Sequence, residues 1–156
     1  MEEQIDKNKI LIEGLQDAVS TLFITMIGTE AVCKESRESA TFSLSADVAG
    51  IMFLLTDPLG MVACGAPAGL ASNIIGKMTG INESELGSGE ISDGFAEMVN
   101  IICGHIKTQY PDMRVNLTPP LSLIAKESEL CWKLAHPSVI LTFDIMGSEL
   151  TLAASL

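Results

Sequence analysis

Four residues have the types and spacing of a docking ridge: Asp93, Glu97, Asn100 and Gly104, at i, i+4, i+7 and i+11. On an α-helix turning about 100° per residue, with Asp93 at 0°, Glu97 falls at about 40°, Asn100 at about −20° and Gly104 at about 20°. The apolar Phe95, Met98, Val99, Ile102 and Ile106 cluster at roughly 200° on the same scale. Two carboxylates, an amide and a glycine therefore line up opposite the buried stripe and face outward. Such a ridge can hydrogen-bond a partner's surface, and its glycine end lets another backbone approach closely. The plain alternative is a solvated helix face. Against it, Asn and Gly both disfavour a helix interior, Gly by about 1 kcal/mol relative to Ala. The stripe also carries no Lys or Arg for i,i+4 pairs.

The helix that must hold this ridge is predicted from about Glu90 to Gln109, stopping before Pro111. A similar amphipathic helix is predicted from about Ile10 to Gly28, with Leu15, Val19, Leu22, Phe23 and Met26 on one stripe. The two align at an offset of 76 positions, which places Asp17 on Asp93, Thr21 on Glu97, Ile24 on Asn100 and Gly28 on Gly104. The apolar matches follow from periodicity alone; the matched Asp and mid-helix Gly do not. Two copies of one helix-plus-strands unit are expected, approximately residues 10–57 and 89–156, in a single domain over 1–156.

Between them, Ala40 to Ala46 and Gly50 to Leu55 read as strands. Asp57-Pro58 is read as opening a packed helix over 59–80 that closes at Gly80. Asn82 to Gly89 reads as a loop that begins with a turn of helix. After the second long helix, Met113 to Lys126 (broken at Pro119-Pro120), Glu129 to Ala135, Val139 to Ile145 and Glu149 to Leu156 read as β, with a turn at Met146-Gly147-Ser148. The fold class is α+β: two pseudo-symmetric units with long amphipathic helices on a mostly antiparallel sheet.

Composition removes several classes of function. Nine basic against 20 acidic side chains leave a net charge of −11, which argues against nucleic acid, whose affinity comes mainly from neutralising phosphates. A mean hydropathy of +0.37 excludes intrinsic disorder. The longest unbroken apolar run, Val48 to Leu55, falls short of the roughly 18 residues of a membrane span. The N-terminus MEEQIDKNK lacks a signal peptide's basic start and apolar block, so no membrane association and a cytoplasmic location are expected. In that setting the sequons at Asn82 and Asn116 stay unmodified. Cys33, Cys64, Cys103 and Cys131, widely spaced, are expected as reduced, buried thiols. GKMT at Gly76 to Thr79 is not a P-loop, and GSGEIS at Gly87 to Ser92 lacks a dinucleotide fingerprint's third glycine. His105 and His136 are isolated, which makes a metal site a poor reading. A nucleophilic role for Cys103 carries little weight.

Asp-x3-Glu-x2-Asn-x3-Gly, here Asp93, Glu97, Asn100 and Gly104, resembles the signature of the CheC/CheX/FliY phosphatases of bacterial chemotaxis. The order of elements follows that family from about residue 10 to 155. CheC-like members carry two active helices and CheX-like members one. Here the first copy has Thr21 and Ile24 in place of the Glu and Asn, which is closest to CheX, a homodimer with one active helix per subunit. The resemblance implies dephosphorylation of a CheY-type receiver phosphorylated on aspartate. Asn100 would position the in-line water and Glu97 would pair with the receiver lysine, with Asp93 and Gly104 lining the docking edge. No cofactor of the chain's own is implied, since the receiver brings Mg²⁺. The other readings are a CheC-like adaptor that binds a receiver or motor-switch protein without hydrolysis, and an α+β dimerisation module with an unrelated partner.

Overall fold

The computed structural model describes residues 2–109, 115–133 and 137–156, with side chains from residue 7 onward. Helix α1 spans Glu2–Leu22 and runs into one π-helical turn at Phe23–Ile27, which Gly28 ends in a left-handed conformation (φ 74°). Strands β1 (Val32–Ser39), β2 (Phe42–Leu55) and β3 (Gly60–Ala66) follow, then α2 (Ala68–Thr79). A short 3₁₀ turn at Glu83–Glu85 precedes α3 (Ser88–Gln109). The chain finishes with β4 (Asn116–Leu117), β5 (Leu121–Trp132), β6 (Ser138–Ile145) and β7 (Ser148–Ser155).

All strand pairs are antiparallel, in the order β1-β6-β7-β3-β2, with both β4 and β5 on the free side of β2. Exchanging β1 with β5, β2 with β6 and β3 with β7 reverses that order onto itself. A pseudo-two-fold axis therefore passes between β3 and β7, near the pair Ala63 and Ala153. The palindrome counts β3 with the first half of the chain, beyond the end expected for that unit at residue 57.

Alternation along the strands builds two layers of core. Val48, Met52 and Leu54 of β2, Val62 and Cys64 of β3, and Leu141 and Phe143 of β6 pack under the helices. Ala49, Ile51, Met61, Ala63, Ile140 and Ala153 face the other way and join Phe42 and Leu44 in a second cluster. Leu11, Leu15, Val19 and Leu22 of α1 and Phe23 of the turn after it are the buried stripe, whereas Met26, expected on it, lies in the π-helical turn and is exposed. Lys7–Ile27 has the length and hydropathy of a membrane span, which a search for unbroken apolar runs passes over. Here Leu11, Leu15, Ala18, Val19, Leu22 and Phe23 form the buried underside of a core helix, while Ile10, Ile24 and Met26 are exposed.

Several expected elements need correction. The helix read over 59–80 is strand β3 followed by the shorter α2, although its stop at Gly80 holds. Strand β3 lies between β2 and β7 and is buried on both faces, so it shows no alternation, and a continuous apolar run cannot be told from a buried helix. Asp57-Pro58, a cis peptide, lies in the β2–β3 connection rather than opening a helix. The two strands read over 40–55 are one strand with a register shift at Asp47, which flips the phase of the alternation. Strand β1 is an edge of charged and polar residues and has no apolar period to read. The first helix begins well before Ile10. Strand β5 is continuous through Lys126 and Glu129. Met146 and Gly147 both have positive φ (52° and 83°) and make the expected turn. Pro111, Met113, Ala135 and His136 lie outside the described residues.

Candidate functional site

Helix α3 carries the predicted ridge, and the fold fixes which way it faces. Phe95, Met98, Val99, Ile102, Cys103 and Ile106 are buried, while Asp93, Glu97 and Asn100 are exposed and Gly104 is half-buried. Burying several large side chains at about 1.5–3 kcal/mol each anchors that stripe and leaves the opposite one to solvent. A Cβ added at Gly104 would meet nothing within 4 Å. The notch beside Asn100 is open.

Two glycines that sequence reasoning passed over key the N-terminal half of α3. A Cβ on Gly50 of β2 would collide with the Phe95 carbonyl oxygen, so the helix backbone rests directly on the strand. A Cβ on Gly94 would collide with the Ile75 side chain of α2. Ser92 and Ser122 bond hydroxyl to hydroxyl and link α3 to β5. The available signal was a glycine inside a strand pattern, which marks a close backbone approach. At the N-terminus, Glu90 Oε2 accepts from the Gly87 N–H at 2.9 Å.

The first copy is a poorer match than its sequence suggests. Gly28 ends a helix, whereas Gly104 lies inside one, so that pairing has two different causes. The π-helical turn shifts the angular register after Leu22, and Ile24, 62% exposed, sits within it. Asp17 is engaged by α3: His105 Nε2 stands 2.7 Å from its Oδ2. His105, expected to be isolated, is thus a cross-helix contact.

The cysteines divide. Cys64 and Cys103 are buried, and burial pushes both thiols up to about 12, which removes a nucleophilic role from Cys103. Against expectation, Cys33 is only half-buried and Cys131 is exposed. Among the described residues, no group of three His, Cys, Asp or Glu side chains is placed to hold a metal.

The family model described as chemotaxis phosphatase CheX matches residues 48–144, which include the whole ridge. No curated protein matches the chain in sequence. Chemotaxis protein CheX from Desulfovibrio desulfuricans superposes with a TM-score of 0.80 at 15% identity, covering 92% of this chain and 97% of that one. A CheC-like superfamily protein from Shewanella sp. PV-4 gives 0.83 at 18% identity, over 93% and 96%. The CheX of a CheX–CheY–BeF3–Mg²⁺ complex from Borrelia burgdorferi gives 0.70 at 18% identity, over 92% and 96%. At these identities the superpositions speak to the fold.

Proposed function

Because the chain belongs to the CheX family of chemotaxis phosphatases, we propose that it hydrolyses the aspartyl phosphate of a CheY-type receiver, with α3 as the working helix. The observation that carries this reading is the joint exposure of Glu97 and Asn100 on one face of a helix whose other face is locked into the core. An acyl phosphate is already labile, and the receiver brings the Mg²⁺ and lysine that neutralise its charge. The phosphatase has only to hold a water in line with the P–O bond, so positioning dominates. The Asn100 amide suits that role, because its oxygen accepts from the water O–H, its NH₂ donates nearby, and it has no charge to repel the phosphoryl group. Glu97, one turn earlier, pairs with the receiver lysine and sets the register. Asp93 and Gly104 line the docking edge. The Borrelia burgdorferi neighbour, solved with CheY, BeF3 and Mg²⁺, supports a receiver as partner.

A cytoplasmic homodimer is part of the same reading. The two sheet edges differ: β1 presents Lys34, Glu35, Arg37 and Glu38 with one exposed apolar residue, Val32 (39%), while β5 exposes Leu121 (46%), Leu123 (37%) and Ile124 (44%). Charge blunts an edge and apolar residues leave it open to pairing, so the β5 edge is the one a second copy would use. Light scattering of the wild type and Leu123→Lys tests this; equal mass for the two sends the dimer surface elsewhere.

The test of the function is to add the protein to receivers phosphorylated by a small-molecule donor. Accelerated loss of phosphate supports the enzyme. Binding without acceleration across a panel of receivers supports the adaptor.

A further inference from the structure

Asp17, the first-copy counterpart of Asp93, is tied to the far end of α3. Its Oδ2 lies 2.7 Å from His105 Nε2 and 3.4 Å from Gln109 Nε2. Gln109 Nε2 is also 3.2 Å from the His105 ring nitrogen. When that nitrogen carries the proton it donates to Asp17, the glutamine amide has only the carboxylate left to bond. Gln109 reaches across Gly14, its Oε1 occupying the room a Cβ would need.

The two halves of α3 are held differently. Up to Phe95, Gly50 and Gly94 key the helix by shape. Past Asn100 the helix is held to the core by the apolar packing of Ile102, Cys103 and Ile106, with no close backbone contact like that at Phe95, and Gly104 is open. Among the described residues, the hydrogen bonds from this half to another element converge on Asp17. Asp17 is 60% exposed, so the cluster adds little to global stability. Its leverage is angular: a rotation of about 20° carries a group about 5 Å from a helix axis through about 2 Å. A misplacement of about 1 Å can lower a rate on the order of 10²-fold.

We propose that the Asp17–His105–Gln109 cluster is a positioning element for Asn100. It holds the rotation of the C-terminal half of α3, so the copy that lost its chemical pair supports the copy that kept it. The proposal rests on the function given above. Asp17→Ala, His105→Ala and the double variant are compared with wild type for kcat and KM on a phosphorylated receiver. In the free protein, amide residual dipolar couplings along α3 are measured. Each single variant is expected to lower kcat about tenfold with KM changed less than about twofold. The double variant is no worse than either single, and Asp17→Asn, which keeps an acceptor oxygen, recovers most of the rate. The couplings from Ile101 to Lys107 shift in step. Unchanged kcat and couplings overturn the proposal, as does a raised KM at constant kcat, which would make Asp17 a docking contact. If the wild type accelerates no receiver, the functional reading fails first. The couplings then decide alone: a shift keeps the cluster as the element that orients α3, and no shift removes it.

Discussion

The carbonyl oxygen of Phe95 occupies the space that a Cβ on Gly50 would need. This backbone-on-backbone contact sets the height of α3 above β2, one turn before the ridge reaches Asn100. Overpacking a filled interior costs about 1–3 kcal/mol, so Gly50→Ala is expected to lower stability by about that much and to lift the helix. Urea denaturation together with receiver dephosphorylation checks it. A variant with wild-type stability and rate would mean that the contact relaxes freely.

Ile24 lies in the π-helical turn at Phe23–Ile27 while Thr21 lies in α1 before it, so the two do not share one regular α-helix as Glu97 and Asn100 do. Restoring the lost pair with Thr21→Glu and Ile24→Asn is therefore expected not to create a second site. In an Asn100→Ala background, the dephosphorylation rate should stay at the level of Asn100→Ala alone. Recovery of more than about a tenth of wild-type activity, on a wild-type loss on the order of 10²-fold, would show that the turn is no obstacle.

Asp47, at the register shift between β2 and β5, accepts from the Glu127 N–H at 2.7 Å and the Ala68 N–H at 2.8 Å. These two bonds, the Glu127 one first, hold its carboxyl below the ordinary 3.8. A depressed folded value means that the stabilisation is complete above the unfolded value of about 3.9 and is lost as pH falls through the folded one. Asp47→Asn should lower the urea midpoint at neutral pH, and the gap to wild type should begin to shrink below about pH 4 and close as pH falls through the depressed folded value. A gap that stays constant with pH would assign the loss to packing.

Burial raises the Cys64 and Cys103 thiols to about 12, while Cys131 is exposed. Titration with a thiol reagent at about pH 8, where an ordinary thiol is partly ionised, should modify Cys131 rapidly and Cys33 more slowly. Cys64 and Cys103 should react only on unfolding. Cys131→Ser should remove the fast phase; a fast phase that persists would place a second thiol at the surface.

The ridge could be read before the fold because its spacing is local. Asp93, Glu97, Asn100 and Gly104 need only the helical period to share a face, and the buried stripe around Phe95 and Ile102 fixes which face. The devices that aim the ridge are non-local. Gly50 and Gly94 matter because of what stands against them from other elements, Phe95 and Ile75. His105 matters through Asp17, 88 positions away. The same distinction separates the strands: β6 and β7 are marked by the local turn at Met146-Gly147 between them. Strand β3, buried on both faces, and β1, polar along an edge, carry no period to detect. The repeat was inferred partly from Gly28 and Gly104, which do different things; the palindromic strand order is its firmer ground.

The most direct test is the decay of a phosphorylated receiver at saturating wild type and at saturating Asn100→Ala, with docking followed separately on a receiver loaded with beryllium fluoride. The expected result is a loss in kcat on the order of 10²-fold, as for removal of one preorganised polar group, with docking unchanged. Equal decay with the two proteins would contradict the placement of the attacking water at Asn100.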